Sequence, residues 1–384
     1  MKPTNSLFAQ TGVTVFETMS RLAMETGAIN LGQGFPDDLG PENLRRAAAD
    51  AIMQGPNQYP PMLGLPEMRQ AVAEHGRRFY GLDVDWQRET MVTSGATEAI
   101  SDCLMALIEP GDEVVLIEPL YDCYLPLVRR AGGIPKLVRI EPPHWELPRE
   151  ALSQAFSANT KLILLNTPHN PAAKVFSRDD LQLIADLMIE YDTYAVCDEV
   201  YEHILFDQRE HVSLITLPGM RDRCIKIGSA GKTFSMTAWK VGYLTAAPEL
   251  LTPISKAHQF TTFTTPRNFQ TAVAIGLMQE STYFEELSDN LQSKRDRLAA
   301  GLETVGFKVL PTEGTYFLSV DIRSVGFTNG DVEFCQTLTR EAGVAAIPLS
   351  AFYQAGEVKH FARFCFSKQD SVLDAAIEKL GDFF

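Results

Sequence analysis

Short apolar runs alternate with longer amphipathic stretches between residues 91 and 246, and this alternation constrains the fold more than any other feature of the sequence. The runs with strand-like composition are Met91–Thr93, Glu113–Ile117, Lys136–Ile140, Leu162–Leu165, Tyr194–Cys197, Ile225–Ile227 and Val241–Ala246. Several of them are continuously apolar, which is typical of strands covered on both faces. The sequence therefore predicts an α/β domain in which helices flank a mainly parallel sheet.

Two of the intervening stretches carry apolar residues at helical spacing. In 97–108 and in 178–191, apolar side chains recur every three or four residues, so each stretch predicts a helix with one apolar face. Ser177 stands directly before the second stretch, and serine is a favoured N-cap residue.

The two ends of the chain have a different pattern. Residues 1–40 are rich in glycine and proline, and we expect them to be irregular. The C-terminal part predicts a long charged helix, short strands and two further helices, over 285–305, 307–310, 315–320, 330–342 and 370–382. We expect 41–285 to form a large domain. The two chain ends would form a smaller α+β domain. Residues 1–40 would supply an N-terminal arm and part of this small domain, and 286–384 would supply the remainder.

Composition excludes several classes of function. The chain has 384 residues, with 34 basic against 49 acidic side chains and a net charge of −15, which disfavours nucleic acid and anionic lipid as partners. No apolar run approaches the length of a membrane span, and the first residues lack the apolar segment of a secretory signal. The six cysteines form no CxxC pair, as expected for free thiols in a reducing cytoplasm. The histidines form no HExxH motif, so the sequence predicts no metal site.

Two familiar motifs are incomplete. The tripeptide at 231–233 reads GKT, but Lys226 stands where a phosphate-binding P-loop requires glycine. Gly32 and Gly34 begin a dinucleotide-binding pattern, but Asp37 replaces its third glycine and no strand precedes it.

Four other segments carry groups that suit a small-molecule site. The turn in VTSGATEA (92–99) leads into a helix whose free N–H groups suit a phosphate, although an ordinary strand–helix turn is the alternative. Asp198 ends a buried strand, where burying a charge is costly; a helix cap or a surface pair would also explain it. Lys232 lies among small residues, and a desolvated lysine can act as a nucleophile, whereas most lysines are surface groups. Arg363 lies in a strand-like run, where it suits a carboxylate ligand or an interior salt bridge.

Taken together, the motifs resemble those of the class I/II pyridoxal-phosphate aminotransferases. The segments that carry the resemblance are NLGQGFPD (30–37), VTSGATEA (92–99), EPLYDCY (118–124), NTPHNP (166–171), CDEVY (197–201), SAGKTFSMTAWKVG (229–242), GTYFL (314–318) and ARFCFSK (362–368). The resemblance runs from about residue 12 to the end, and it is strongest to the methionine, glutamine–phenylpyruvate and kynurenine transaminase subgroup. It implies fold type I, bound pyridoxal 5′-phosphate, amino acid and 2-oxo acid substrates, and a homodimer with shared active sites.

The resemblance also implies roles for individual residues. Lys232 would form the internal aldimine and shuttle a proton between the substrate Cα and the cofactor C4′. Asp198 would keep the pyridine nitrogen protonated, Tyr201 and Asn170 would bind O3′, and Tyr121 would stack on the ring.

Further residues would hold the cofactor phosphate and the substrate. The phosphate would be bound by Ala96, Thr97, Ser229 and Lys240. Arg363 would bind the substrate α-carboxylate with Asn170 and the backbone at Gly34. Tyr59 and the Phe263–Thr264 stretch would reach across the dimer interface, Tyr59 to bind the cofactor and Phe263 to bind the substrate.

The sequence departs from the family pattern in two places. The frequent NPTG run reads NPAA at 170–173, and the lost glycine is expected to reshape that turn. Lys240 stands where many relatives have arginine, so a point charge replaces a forked contact.

The side-chain pocket indicates the substrate only broadly. Phe16, Tyr59 and Phe263 are candidate walls, and no second arginine matches a distal carboxylate. The sequence therefore predicts methionine, glutamine or an aromatic amino acid as donor and a 2-oxo acid as acceptor. Two alternatives stay open: carbon–sulfur β-lyase activity on cysteine conjugates, and a non-catalytic pyridoxal-phosphate-binding protein.

Overall fold

The computed structural model describes residues 2–10, 12–354, 356 and 358–384. The strands, numbered along the chain, are β1 (Ile29–Asn30), β2 (Thr90–Thr93), β3 (Glu113–Glu118), β4 (Ile134–Arg139), β5 (Thr160–Asn166), β6 (Tyr194–Asp198), β7 (Cys224–Ser229), β8 (Gly242–Thr245), β9 (Lys308–Val309), β10 (Phe317–Asp321), β11 (Val344–Ala345), β12 (Ile347–Pro348) and β13 (Phe361–Cys365). The helices are α1 (Ser6–Gln10), α2 (Val15–Thr26), α3 (Glu42–Gln54), α4 (Pro66–Tyr80), α5 (Trp86–Glu89), α6 (Ala96–Leu107), α7 (Tyr124–Arg130), α8 (Arg149–Ala155), α9 (Arg178–Glu190), α10 (Ala230–Thr233), α11 (Pro248–Thr261), α12 (Arg267–Leu277), α13 (Ser281–Val305), α14 (Asp331–Thr337) and α15 (Asp370–Phe383).

A seven-stranded sheet in the order β2-β8-β7-β6-β5-β3-β4 forms the centre of the fold. Strand β8 runs antiparallel to both of its neighbours, and the remaining neighbours are parallel. Each strand-like run of the central sequence corresponds to a strand of this sheet, which confirms the predicted α/β class with a mainly parallel sheet.

The continuous apolar runs arise because the sheet is covered on both faces. In β3, Val114 and Val115 are both fully buried, but they belong to different hydrophobic clusters. Leu162 and Ile163 of β5 likewise belong to these two different clusters. Because successive side chains of a strand point to opposite faces, both faces of the sheet must be packed by helices.

A second, antiparallel sheet has the order β12-β13-β10-β9 and packs with the C-terminal helices. Strand β1, from the N-terminal part, pairs in parallel with β11 from the C-terminal part. This pairing supports the predicted union of the two chain ends, whose domain boundaries remain a prediction.

The expectation that 1–40 is irregular is wrong for much of that segment. Helix α2 begins after Thr14, whose side chain accepts from the Glu17 N–H, and it ends at Gly27 in a left-handed conformation. Met19 and Ala23 form its buried face. These are ordinary start, stop and spacing signals for a helix.

The other helix predictions are close to the observed bounds. Ser177 forms a capping box with Asp180 at the start of α9, which confirms the predicted cap. The predicted helix over 330–342 consists of α14 followed by a π-helical turn over Leu338–Ala342. Within the described ranges, the helices lack the combination of length and apolar character that a bilayer span demands.

Candidate active site

One cavity of about 370 Å³ opens where β2, β5, β6 and β7 end. It is lined by most of the residues that the sequence singled out: Phe16, Gly34, Ala96, Thr97, Tyr121, Asn170, Asp198, Tyr201, Ser229, Lys232, Lys240 and Arg363. Carboxyl ends of parallel strands are where ligands bind in such sheets. Tyr59 and Phe263 do not line it.

At one end of the cavity, the turn Ser94–Thr97 and Lys240 form a cationic cradle. Gly242, the first residue of β8, pairs with Thr93 on one side and with Ser229 on the other. A Cβ atom on Gly242 would come within 2.5 Å of the Gly95 carbonyl carbon, so the strand approaches the turn at a distance that only glycine permits.

The polarity of this cradle suits an anion. Gly95 has φ +86° and caps helix α6, whose first N–H groups face the cavity without intrahelical partners. The ammonium group of Lys240 lies 3.2 Å from the position that a Cβ on Gly95 would take. The positive end of the helix dipole and the lysine charge therefore act on the same point.

Lys232 lies in the middle of the cavity, on the short helix α10 that follows β7. Its Nζ donates to the hydroxyl of Tyr316 at 2.8 Å, and that hydroxyl donates to the carbonyl of Gly34 at 2.9 Å. The amine is thus held by a neutral hydroxyl rather than by a carboxylate.

Asp198 ends β6 deep in the cavity wall and is 5% exposed. The hydroxyl of Tyr124 donates to its Oδ2 at 2.6 Å. Burial raises the pKa of Asp198, while the hydrogen bond from Tyr124 and the charge of Lys232 act in the opposite direction. A cationic group in the cavity would favour the ionised carboxylate further.

Arg363 of β13 lies at the opposite end of the cavity and is 1% exposed. Its guanidinium donates to Asn170 Oδ1 at 2.8 Å and to the Gly32 carbonyl at 3.2 Å, and it lies 3.8 Å from the ring centroid of Phe317. Its Nε has no hydrogen-bond partner, and no acidic side chain of the described residues pairs with it. Burial lowers the pKa of Arg363 to about 10. A buried guanidinium with a free N–H indicates a carboxylate ligand.

At the NPAA turn, alanine occupies the position where the frequent NPTG pattern has glycine. Ala173 adopts φ +55°, a left-handed conformation that glycine would adopt more easily. Its N–H donates to the His169 carbonyl at 2.8 Å, and its own carbonyl accepts from the N–H groups of Glu313 and Gly314. These bonds maintain the turn and leave Asn170 in the cavity.

Tyr59 and Phe263 form a separate aromatic pair on the surface. Their ring centroids are 5.6 Å apart at 90°, and the side chains are 80% and 40% exposed. Phe260, which is 84% exposed, lies on the same segment as Phe263. Exposed aromatic groups in such a cluster are typical of an interaction surface.

Comparison with known proteins gives the family. Residues 26–380 match aminotransferase class I and II. The chain is 43% identical over 378 residues to a probable N-succinyldiaminopimelate aminotransferase of Mycobacterium tuberculosis, with 96% of this chain and 95% of that protein covered. It is 42% identical over 375 residues to the methionine aminotransferase of Escherichia coli, with 98% and 97% covered.

The chain belongs to the class I and II aminotransferases. A crystal structure identified with methionine aminotransferase function in Escherichia coli matches this aminotransferase with a TM-score of 0.96 and 42% identity, and each chain is covered completely. The enzyme therefore has fold type I, uses pyridoxal 5′-phosphate and transfers amino groups between amino acids and 2-oxo acids.

The groups in the cavity of this aminotransferase fit that cofactor. The cradle suits its phosphate, the buried carboxylate of Asp198 suits a cationic ring nitrogen, and the amine of Lys232 lies where an aldehyde carbon requires a nucleophile.

Two tyrosines of the site were not predicted from the sequence. Tyr316 belongs to the GTYFL motif and Tyr124 to the EPLYDCY motif, yet neither was assigned a role. Each hydroxyl contacts a key cavity residue, Lys232 and Asp198 respectively. For Tyr124 the available signal was Tyr121, a predicted site residue in the same motif; for Tyr316 it was only the place of GTYFL among the motifs of the resemblance.

Proposed function

We propose that this aminotransferase prefers α-amino acids with uncharged side chains, with methionine, glutamine or an aromatic amino acid as donor and a 2-oxo acid as acceptor. The observation that supports this preference is the cavity's single unpaired carboxylate anchor, Arg363. Phe16 and Phe317 lie beside it, with ring centroids 5.4 and 3.8 Å from the guanidinium carbon.

The charges of the cavity support the same preference. Among the described residues, the cations that line it are Lys232, Lys240 and Arg363. The first suits the cofactor aldehyde, the second its phosphate and the third the α-carboxylate, so no cation remains for a distal carboxylate. A donor side chain would instead meet Phe16 and Tyr121, which favours apolar and aromatic groups.

We assign the proton movements to groups in the middle of the cavity. Bound pyridoxal 5′-phosphate would supply an electron sink for the charge that develops at the substrate Cα. Lys232 would take the proton from the substrate Cα and deliver it to the cofactor C4′, and Tyr316 would orient its amine. Asp198 would keep a proton on the ring nitrogen, and Tyr124 would fix the orientation of that carboxylate.

The remaining assignments are supported by the lining of the cavity. The cradle and Ser229 would bind the phosphate, and Tyr201 and Asn170 would hold the ring oxygen. Tyr121 would pack on the ring. Arg363 would bind the substrate carboxylate, together with Asn170 and the backbone at Gly34.

We also propose that the enzyme is a cytoplasmic homodimer. The exposed aromatic pair Tyr59–Phe263 supports the dimer because it adjoins the cradle: Thr265, two residues after Phe263, lies 3.1 Å from the Ser94 hydroxyl. In a dimer the pair would complete the partner's site. The free state of all six cysteines supports a reducing compartment.

Steady-state kinetics with a panel of donors tests the preference. We expect kcat/KM for methionine, glutamine or phenylalanine to exceed that for aspartate by at least about tenfold, which is a difference of about 1.4 kcal/mol in transition-state binding. A tenfold advantage for aspartate would overturn the proposal. Ammonia and pyruvate released from a cysteine conjugate without acceptor would instead favour the β-lyase alternative.

A further inference from the structure

A buried cluster of Glu98, Asp102 and His258 lies behind the cradle and has no part in the chemistry described above. His258 and Asp102 are fully buried, and Glu98 is almost so. Nδ1 of His258 lies 2.9 Å from Glu98 Oε1 and 3.4 Å from Asp102 Oδ2. Placing three ionisable groups in the interior is costly, so the cluster requires an explanation.

One side of the cluster holds the cradle. Glu98 Oε2 accepts from the backbone N–H of Ser94 at 2.5 Å. Ser94 precedes the glycine that caps α6, so this bond fixes the turn that presents the free N–H groups of the helix. The carboxylate of Glu98 thus joins the cradle to His258.

The other side of the cluster holds the segments that carry the aromatic pair. Nε2 of His258 lies 3.2 Å from the carbonyl of Met62, three residues after Tyr59. The backbone carbonyl of His258 accepts from the N–H of Phe263 at 3.0 Å. The ring of His258 therefore anchors the segment of Tyr59, and its backbone anchors Phe263.

We propose that His258 is a positioning residue that serves two active sites of the dimer at once. Through Glu98 its ring holds the cradle of its own site, and through Met62 its ring holds the segment of Tyr59, whose aromatic pair with Phe263 reaches the partner's site. This inference rests on the proposed homodimer.

Histidine suits this position because both ring contacts are made with acceptors. The carboxylate of Glu98 and the carbonyl of Met62 can both be satisfied only by a ring protonated on both nitrogens. Burial disfavours the charged ring, but the nearby carboxylate of Asp102 and the hydrogen-bonded carboxylate of Glu98 outweigh burial and raise the pKa of His258 to about 9.

Two substitutions separate the two links. The amide nitrogen of asparagine takes roughly the place of Nδ1, so His258→Asn keeps a donor for Glu98 and no longer reaches Met62. Glutamine places its nitrogen near Nε2, so His258→Gln keeps the hydrogen bond to Met62 and removes the donor for Glu98.

Hybrid dimers report on each link separately. One chain carries Lys232→Ala, so only the other chain's site turns over. In the first hybrid, the Lys232→Ala chain also carries His258→Asn. The active site of the other chain then keeps its own intact cradle, and the aromatic pair that it receives from the Lys232→Ala chain is displaced. We expect its donor KM to rise about fivefold, because the displaced pair comes from the other chain while the working cradle stays intact. With His258→Gln on the active chain, we expect cofactor affinity to fall about tenfold.

His144 is exposed, and His144→Asn on the same chains is the matched control, with neither constant changed. An unchanged donor KM in the first hybrid overturns the role of His258 in the partner's site, and unchanged cofactor affinity in the second overturns its role in the cradle. If a His258 variant fails to fold, Glu98→Gln on the active chain is expected to weaken cofactor binding, and normal binding would overturn the proposal.

Sedimentation of the wild-type protein keeps the two proposals distinguishable. A monomer would overturn the proposed homodimer, and the reach to a partner with it. A dimer whose hybrids are unaffected would overturn only the role of His258.

Discussion

Two lysines six residues apart occupy opposite kinds of environment. Lys226 lies within β7 and is 5% exposed, with its Nζ 2.5 Å from Glu202 Oε2 and 3.6 Å from Glu199 Oε2. Lys232 follows the same strand, lines the cavity and contacts the neutral hydroxyl of Tyr316.

The difference shows that burial does not by itself make a lysine reactive. Burial acts to lower the pKa of Lys226, but the charges of Glu202 and Glu199 outweigh it and raise the pKa above its ordinary value. The ammonium group of Lys226 thus forms ion pairs with two carboxylates. Lys232 has no acidic side chain of the described residues within ion-pair distance, so its amine is available to a ligand. We therefore expect Lys226 to stabilise the fold and Lys232 to serve the proposed chemistry.

Replacing the cavity lysine is the strongest test of this comparison. Lys232→Ala is expected to abolish transamination, at least about 10³-fold in kcat, because the residue carries both the nucleophile and the proton shuttle. Chemical denaturation of the variant, compared with the wild-type apoprotein, should show little change in stability. Borohydride reduction of the holoenzyme followed by peptide mapping should label Lys232, and a label on another lysine would contradict the assignment.

Replacing the other lysine should give the reverse result. Lys226→Met is expected to lower the free energy of unfolding by about 3–5 kcal/mol, because Glu202 and Glu199 lose their buried counter-ion. Urea denaturation measures this change, and Lys232→Met is the matched control. A loss below about 1 kcal/mol would mean that the buried ion pairs contribute little to stability.

The carboxylates allow a similar contrast. Asp198→Asn is expected to lower kcat about 100-fold, because the ring nitrogen loses the charge that keeps it protonated. Single-turnover absorbance changes of the holoenzyme measure the chemical step directly. Asp382→Asn, on the exposed last helix, should leave kcat unchanged. A loss smaller than tenfold for Asp198→Asn would place the ring nitrogen elsewhere.

Acid titration tests the buried surroundings of Lys226 through a gradual change in the free energy of unfolding with pH. Beside Lys226, His75 and His203 are buried with their Nε2 atoms 2.6 Å apart. Burial lowers the pKa of His75 to about 4. Below about pH 6.5, His75 therefore binds a proton in the unfolded chain but stays neutral in the native state. The free energy of unfolding must fall as the pH is lowered from 6.5 to 4.

The expected slope is about 1.4 kcal/mol per pH unit for each such histidine. Denaturation at several pH values should show a shallower slope for His75→Gln than for the wild type. Equal slopes would show that His75 does not titrate in this range. His144→Gln is the surface control.

Most of the cavity was predicted from the family resemblance, because its residues lie in short local motifs at or near strand ends. Asp198 directly follows the apolar run Tyr194–Cys197, and Lys232 lies five residues after Ile225–Ile227. The contacts of Tyr316 and Tyr124 could not be predicted in this way, because they depend on how distant segments pack. Helix α2 was missed although Thr14, Met19, Ala23 and Gly27 supply a cap, an apolar spacing and a stop signal.

The reversed strand β8 has a consequence for how the enzyme would lose its cofactor. Its first residue, Gly242, leaves no room for a Cβ beside the backbone of Gly95 and pairs with the last residues of both flanking strands. In the proposed site, the phosphate would therefore be held by an extension of the β-ladder and not by a flexible loop. Release of the coenzyme and fraying of the sheet at this corner should be a single event, so the yellow colour of the bound vitamin would report on the integrity of the sheet itself.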